Sequence, residues 1–341
     1  MNTKTNQRVV YLDMLRVVAC FTVVLMHSPA PDAGVPGFVQ VPLYFLTSAG
    51  LLLFFMVSGA LLLPTKGDTI QWLKHRIGKI FGPTLFWSFF YLIVNYIEGH
   101  LDQRQFFHDL FSVPFTYKGE PVMWFMYTLA GLYLLSPIIS PWVKQVTHRE
   151  LRIFLGVWGI SLILPLIALL VDVNTSRTGM FYYFSGFAGY FLLGYYLHNY
   201  GSKLKSWMFP FCIIIPLFCC WFNRVLGGDE SLTEGYFNIF VAVMALAWFE
   251  IVRRYPIVRK GGEAILAELS NCTFGIYLMH IFIMRHVLWN IDFIIHGLGW
   301  SGQLIMSWLL TLIICFLLTK VISYLPFSEY IIGYHTKSKK K

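Results

Sequence analysis

Three ionisable side chains, Asp13, Arg16 and His27, lie within the first long apolar stretch of the chain. At about 100° of rotation per residue, the eleven-residue spacing brings Arg16 and His27 to nearly the same helix face, about 16 Å apart along the axis. Ionisable groups in a membrane span cost roughly 2.5 to 3.5 kcal/mol each, which makes them candidates for function. A histidine accepts a hydroxyl proton near neutral pH. Two structural interpretations stay open: Asp13 neutralises Arg16, or His27 is an interfacial residue.

In each of two further pairs the two residues are three positions apart, so they occupy adjacent positions on a helix face. Arg76 and Lys79 precede the third apolar stretch, where their cationic groups either grip phosphates or anchor the chain at the membrane surface. Tyr277 and His280 lie inside the ninth stretch and need polar partners there. Those partners belong either to a structural hydrogen-bond network or to a water-filled path for a substrate.

Ser58, Trp124 and Tyr127 are secondary candidates with a strong structural alternative. Ser58 stands beside a glycine in an apolar stretch, a combination that more often supports close helix packing than nucleophilic chemistry. Trp124 and Tyr127 fall at the predicted outer end of the fourth stretch, where aromatic residues commonly form an interfacial belt. The same two rings are also suited to stack on a sugar or to frame a reaction centre.

Membrane-spanning helices must position these residues. Hydrophobic residues make up 57% of the 341 positions and charged residues 13%, whereas soluble domains carry about a quarter charged residues. A span needs about 20 mostly apolar residues, and windows of that length predict ten spans. They are approximately Val9 to Ser28, Leu43 to Leu63, Ile80 to Ile97, Val122 to Val143, Arg152 to Val171, Met180 to Tyr200, Ser206 to Phe222, Gly235 to Ile251, Ser270 to Trp289 and Ser301 to Leu325.

The distribution of basic residues predicts that both termini are cytoplasmic. With the amino terminus inside, 20 of the 26 lysine and arginine residues fall in cytoplasmic segments, as the positive-inside rule requires. Four fall in outer loops and two, Arg16 and Arg285, lie within spans. The net charge of +9 is thereby explained by the rule and by anionic inner-leaflet lipid, so nucleic-acid binding is not expected.

The rest of the sequence predicts one membrane domain over residues 1–341, with a basic tail at 337–341. All six cysteines fall in or beside apolar stretches and are interpreted as packing residues instead of a disulfide framework. The histidines are dispersed and no ligand spacing typical of zinc occurs, so no metal site is expected. No nucleotide-binding loop is present either, and no bound cofactor is expected.

Several of these segments together resemble the acyltransferase-3 family of membrane acyltransferases. The spacing of Arg16 and His27 is similar to the family's first-helix signature, and the resemblance extends over essentially the whole chain. At one position the sequence departs from the pattern, because Lys79 stands where arginine is common. The other matching segments are Phe54 to Gly59, Arg76 to Lys79 followed by Pro83, Met123 to Tyr127 with Tyr133 and Pro137, and Gly275 to His280.

The resemblance implies transfer of an acyl group, usually acetyl from coenzyme A, to a hydroxyl of an envelope polysaccharide or glycolipid. The donor would bind on the cytoplasmic side and the acceptor on the outer side of a bacterial inner membrane. Arg16, Arg76 and Lys79 would hold the phosphates of acetyl-CoA, and His27 would act as general base. A two-step route through an acylated residue stays open.

Two other classes of protein compete with this interpretation. A glycan or lipid exporter of the same fold would move the polymer instead of modifying it, but transporters often carry internal repeats and none is visible here. In a structural or sensory protein, the buried charges would only fix helix packing. Succinyl transfer in place of acetyl transfer stays an open alternative.

Overall fold

The computed structural model describes residues 8–31, 33–174, 177–229, 233, 235–258 and 261–336. The predicted basic tail at 337–341 and the inner-side residues Lys4, Arg259 and Lys260 lie outside the described residues. Helices and connecting loops make up the whole of the described chain. The six cysteines all lie in the described part of the chain, and no disulfide bond joins any two of them.

Thirteen α-helices are labelled in chain order among the described residues. They are α1 (Val10–His27), α2 (Gly37–Leu62), α3 (Thr69–Ile97), α4 (Gln103–Ser112), α5 (Trp124–Gln145), α6 (His148–Ile167), α7 (Phe187–Tyr200), α8 (Phe209–Val225), α9 (Ile239–Arg254), α10 (Glu263–Phe282), α11 (Asp292–Ile295), α12 (Trp300–Ser323) and α13 (Ser328–Ile332). A π-helical turn, Ile283–Val287, follows α10 directly.

Eight helical segments of the described chain are long and apolar enough to cross a membrane. They contain α1, α2, α3, α5, α6, α8, α10 and α12, so the prediction of an all-α multi-pass membrane protein is confirmed. The other two predicted spans correspond to α7 and α9, which have only 14 and 16 residues. The total of ten spans and the cytoplasmic position of both termini stay predictions.

Local signals explain where three helices begin. α7 starts at Phe187, later than predicted, because Gly186 has φ 114°, a conformation that interrupts the helix and suits glycine. α9 starts at Ile239 because the side chain of Asn238 accepts a hydrogen bond from the Val241 amide at 3.0 Å. α3 starts at Thr69, eleven residues before the predicted span, because Asp68 caps it through the Gln71 amide. As a result, Arg76 and Lys79 both lie on a helix.

The chain forms two compact units that alternate along the sequence. Among the described residues, the first unit comprises those up to Met26 and those within Gly34–Leu61 and Thr147–Asn271. The second unit comprises the described residues within His27–Ala33 and Leu62–Val146 and those from Cys272 to Thr336. The expectation of a single domain over 1–341 stays a prediction.

Glycines bring α2 and α7 into close contact inside the first unit. A Cβ added to Gly59 on α2 would lie 1.7 Å from the Phe191 carbonyl oxygen, and one added to Gly194 on α7 would lie 1.9 Å from that of Met56. Small residues of this kind let backbones approach closely in membrane proteins. The contact therefore excludes any larger side chain at these two positions.

The helix α3 organises the second unit. It packs against α5 and against the short helix α13, and the indole of Trp87 donates a hydrogen bond to the Ile331 carbonyl at 2.8 Å. Tyr330 of α13 lies directly over Gly82. The amino-terminal part of α3 carries the basic pair Arg76 and Lys79, and its later turns reach the candidate site.

Candidate active site

His27 forms the last turn of α1, and its ring packs against His280 in the last turn of α10. The ring centroids are 5.4 Å apart and the planes are inclined by 45°. His280 is fully buried, whereas His27 is half-buried. Two sequence candidates separated by more than 250 residues are thus brought together within the second unit.

The hydrogen bonding of His280 fixes which of its ring nitrogens carries the proton. Nδ1 lies within hydrogen-bond distance of the Tyr277 carbonyl, which can only accept, so Nδ1 is the donor. Nε2 is then a lone-pair acceptor, and it has no hydrogen-bond partner among the described residues. An unpaired buried polar atom costs about 1–3 kcal/mol, so its presence beside a second histidine indicates a functional site.

The hydroxyl of Tyr91 is inserted into the backbone ladder of α10 around His280. It donates to the Leu278 carbonyl at 2.8 Å and accepts from the Phe282 amide at 3.3 Å. In an α-helix these two backbone groups are each other's partners, so the hydroxyl lies between the two ends of one helical hydrogen bond. Tyr91 is fully buried on α3. It therefore fixes the backbone turn that carries His280.

The π-helical turn after α10 presents Arg285 to an acidic loop. Arg285 Nη1 lies 3.2 and 3.0 Å from the two carboxylate oxygens of Glu120, which precedes α5. The Arg285 side chain is 44% exposed and that of Glu120 11%. The positive charge of Arg285 also acts on both His27 and His280. Widened turns of this type are frequently found at functional sites.

The segment from Glu120 to Val122 fastens α10 to the start of α5. Besides the ion pair with Arg285, the Tyr277 hydroxyl donates to the Val122 carbonyl at 2.6 Å. Burial raises the pKa of the Glu120 carboxyl, and the nearby Arg285 charge opposes that shift only in part. The rings of Tyr277 and Phe125 are 5.2 Å apart. Tyr277 thus has a structural hydrogen bond and still lies beside His280, with ring centroids 5.5 Å apart.

Gln303 holds the backbone immediately after His27. Its amide nitrogen donates to the Ser28 carbonyl at 3.2 Å and to the Ser307 hydroxyl at 3.0 Å. The side chain is buried, and its oxygen Oε1 has no partner among the described residues. Gln303 therefore brings a second unpaired acceptor into the surroundings of His27.

The structure gives the aromatic candidates of the fourth predicted span different surroundings. The Tyr127 hydroxyl donates to the Val113 carbonyl at 2.6 Å and lies 3.2 Å from the Ser88 hydroxyl, so it links α5 to α3 and to the preceding loop. Trp124 is half-buried at the first position of α5. Their part in catalysis stays a prediction.

The donor-binding candidates of the second unit lie together on α3. Arg76 is exposed and Lys79 half-buried, and their spacing of three residues on a helix is as predicted. Tyr91 follows Arg76 on the same helix after fifteen residues, or about 22 Å along the axis. One helix therefore connects the basic pair to the turn that carries His280.

The remaining candidates, Asp13, Arg16 and Ser58, belong to the first unit. Arg8 forms an ion pair with Asp13, and the Ser270 hydroxyl donates to the same carboxylate at 2.7 Å. Asp13 thereby ties α1 to α10 within this unit. Arg16 and Ser58 are half-buried. The shared helix of Arg16 and His27 is confirmed, while the roles of Arg16 and Ser58 stay predictions.

Four residues around the histidines, Tyr91, Glu120, Arg285 and Gln303, were not candidates from the sequence. The sequence does mark Arg285 as unusual, because it is the second arginine within a predicted span. Gln303 carried a weaker one as a polar residue near the start of the last span. Tyr91 and Glu120 gave none, because their partners lie 187 and 165 residues away.

A family model described as an acyltransferase domain, that of the acyltransferase-3 family, matches residues 9–325. The chain belongs to this family. The match includes His27, His280 and the helices that carry them, so the resemblance seen in the sequence motifs is confirmed. Searches of the curated proteins and of the solved structures gave no significant match.

The site of this acyltransferase-3 protein has the components that an acyl transfer needs. Two adjacent imidazoles supply a proton acceptor, and a cationic guanidinium lies close to them. In the described part of the chain, no group of three or more histidine, cysteine or acidic residues is arranged to hold a metal ion.

Proposed function

We propose that the protein transfers an acetyl group from cytoplasmic acetyl-CoA to a hydroxyl of an envelope polysaccharide or glycolipid on the outer side of a bacterial inner membrane. Family membership establishes the broader acyltransferase assignment. The observation that carries the catalytic assignment is the packing of His27 against His280, whose buried Nε2 has no partner among the described residues.

His27 is the proposed general base. It takes the proton from the acceptor hydroxyl as the hydroxyl oxygen attacks the thioester carbonyl carbon, and a carbon–oxygen bond forms. The resulting tetrahedral oxyanion collapses and breaks the carbon–sulfur bond. The departing thiolate takes the proton back from the His27 imidazolium, so the histidine is neutral again after each turnover.

Arg285 is the proposed electrostatic partner of this step. A fixed cation aimed at the place where negative charge develops is among the largest contributions to acyl transfer. The bond to Glu120 holds the guanidinium in one orientation, and its charge already acts on both imidazoles. Arg285 would therefore stabilise the oxyanion without reorganising during the reaction.

Arg76 and Lys79, both in the second unit, are the proposed phosphate contacts for the donor, while a donor-binding role for Arg16 stays a prediction from the family resemblance. Guanidinium and ammonium groups form strong charge-assisted hydrogen bonds to phosphate. The separation of about 22 Å between Arg76 and Tyr91 along α3 calls for a donor with a long arm between its phosphates and its reactive carbonyl. Acetyl-CoA has this shape, because the pantetheine arm separates the two groups.

The test measures label transferred from isotopically labelled acetyl-CoA, supplied to the cytoplasmic face of membrane vesicles, into an envelope glycan fraction. The native protein is compared with His27→Ala, His280→Ala and Arg76→Ala at matched expression. We expect the His27 variant to abolish transfer while it still binds acetyl-CoA, and the Arg76 variant chiefly to raise the KM for the donor. His296→Ala, which changes an exposed histidine at the end of α11, serves as the control.

Two outcomes would contradict the proposal. Full transfer by His27→Ala would remove this residue from the chemistry. No labelled product from the native protein across a broad envelope extract would favour the exporter instead. Labelled succinyl-CoA offered in parallel separates acetyl from succinyl transfer.

A further inference from the structure

A groove of about 430 Å³ lies in the first unit between α6, α7 and α9. The contributing residues of α6 run from Arg152 through Leu155 and Gly159 to Leu162, a spacing that places them on one helix face. The contributing residues of α9 begin at Ile239 and follow the same periodicity. Apart from one end, the walls are apolar.

Two glycines on α6 leave space in this groove. A Cβ added to Gly156 or to Gly159 would meet no atom within 4 Å. The groove is therefore open at the backbone of α6, in contrast to the closed contact that Gly59 makes. Glycine in a helix interior is less favourable than alanine by roughly 1 kcal/mol, so two open glycines destabilise α6 unless the space is used.

Positive charge is confined to one end of the groove. Arg152 lies in the second turn of α6, and Lys203 follows the end of α7; both are exposed and both line the groove. The rings of His148 and Tyr200 are 4.6 Å apart, which shows that the start of α6 adjoins the end of α7. Both cations therefore lie at the same mouth.

The length of the groove matches one leaflet of a bilayer. Arg152 and Leu162 are ten residues apart on α6, or about 15 Å along the axis, which is half of the roughly 30 Å hydrocarbon core. We propose that the groove binds one anionic phospholipid, with an acyl chain along the apolar walls and the phosphate between Arg152 and Lys203. This lipid site is separate from the acetyl transfer proposed above.

The test uses the purified, delipidated full-length protein in mild detergent and measures its thermal unfolding with added phosphatidylglycerol or phosphatidylcholine. Gly156→Leu places a side chain in the acyl-chain path without meeting a protein atom at Cβ. Gly131→Leu on α5 is the matched control, because a Cβ there also meets nothing within 4 Å. The double variant Arg152→Gln, Lys203→Gln removes the charge at the mouth.

We expect phosphatidylglycerol to raise the Tm of the native protein and of Gly131→Leu, but not that of Gly156→Leu. The double variant should bind phosphatidylglycerol roughly tenfold to thirtyfold more weakly, because each cation near the membrane surface contributes about 1 kcal/mol to attraction of anionic lipid. Equal stabilisation of the native protein by both lipids would overturn the proposal, as would a full response of Gly156→Leu. The double variant changes only exposed side chains, so it decides the question even if Gly156→Leu fails to fold.

Discussion

Removal of the Tyr91 hydroxyl tests whether the turn that carries His280 is positioned by α3. In Tyr91→Phe the Leu278 carbonyl and the Phe282 amide both lose this partner but can pair with each other, since they are natural partners in an α-helix. The net loss of stability should therefore stay near 1 kcal/mol, the usual contribution of one hydrogen bond.

The effect on catalysis should be larger than the effect on stability. Closing the ladder moves the backbone at His280, which lies between Leu278 and Phe282, and displacement of a reacting group by about 1 Å costs on the order of 10²-fold in rate. We expect the rate of acyl transfer to fall by roughly 10- to 100-fold. Initial rates in vesicles at matched expression, together with thermal unfolding of the purified protein, give the two quantities.

Tyr190→Phe is the matched control for this prediction. Tyr190 is also fully buried, and its hydroxyl donates to the Tyr236 carbonyl at 2.6 Å in the first unit. The Tyr190→Phe variant should lose a similar amount of stability and keep the transfer rate of the native protein. Unchanged transfer in Tyr91→Phe, or an equal loss in Tyr190→Phe, would refute the positioning role.

Three further predictions concern contacts that lie within one unit or the other. Glu120→Gln should lower the rate of acyl transfer about tenfold and the free energy of unfolding by about 1 kcal/mol, because Arg285 loses a charged acceptor. Initial rates in vesicles and thermal unfolding measure the two quantities. Gly59→Ala should prevent stable folding, whereas Gly131→Ala should not, as monitored by yield after purification. Burial alone would raise the pKa of Asp109, but hydrogen bonds from Lys118 and His108 outweigh it and lower the pKa. Because the pKa of Asp109 in the folded protein is below its ordinary value of 3.8, the ionised carboxylate stabilises the fold above pH 3.8, and this contribution should disappear as the pH falls further. Thermal unfolding at a series of acidic pH values should show a weaker pH dependence for Asp109→Asn than for the native protein.

Features with a local cause were predictable from the sequence. The apolar windows located the main helices because a membrane span needs a fixed length of hydrocarbon-compatible residues. The spacing of Arg16 and His27 along one helix followed from helical periodicity alone. The early start of α3 also has a local cause, because the Asp68 side chain caps the helix at its amino-terminal end.

The part of the site that depends on tertiary contacts was not predictable. His27 and His280 were both candidates, but nothing in their positions indicated that their rings are adjacent. The role of Tyr91 depends on a backbone turn of a distant helix, and that of Glu120 on an arginine 165 residues away. Helix periodicity specifies faces within one segment and carries no information about which faces meet.

Because of the π-helical turn, the number of residues between α10 and the following segment is itself a determinant of the site. Removing Ile283 or Met284 would restore an ordinary α-helical turn and rotate the residues that follow, Arg285 and His286 among them, by about 100°. Arg285 and His286 would then point away from Glu120 and Glu98, the carboxylates they now contact. Substitution of individual side chains in this segment should therefore be better tolerated than any insertion or deletion.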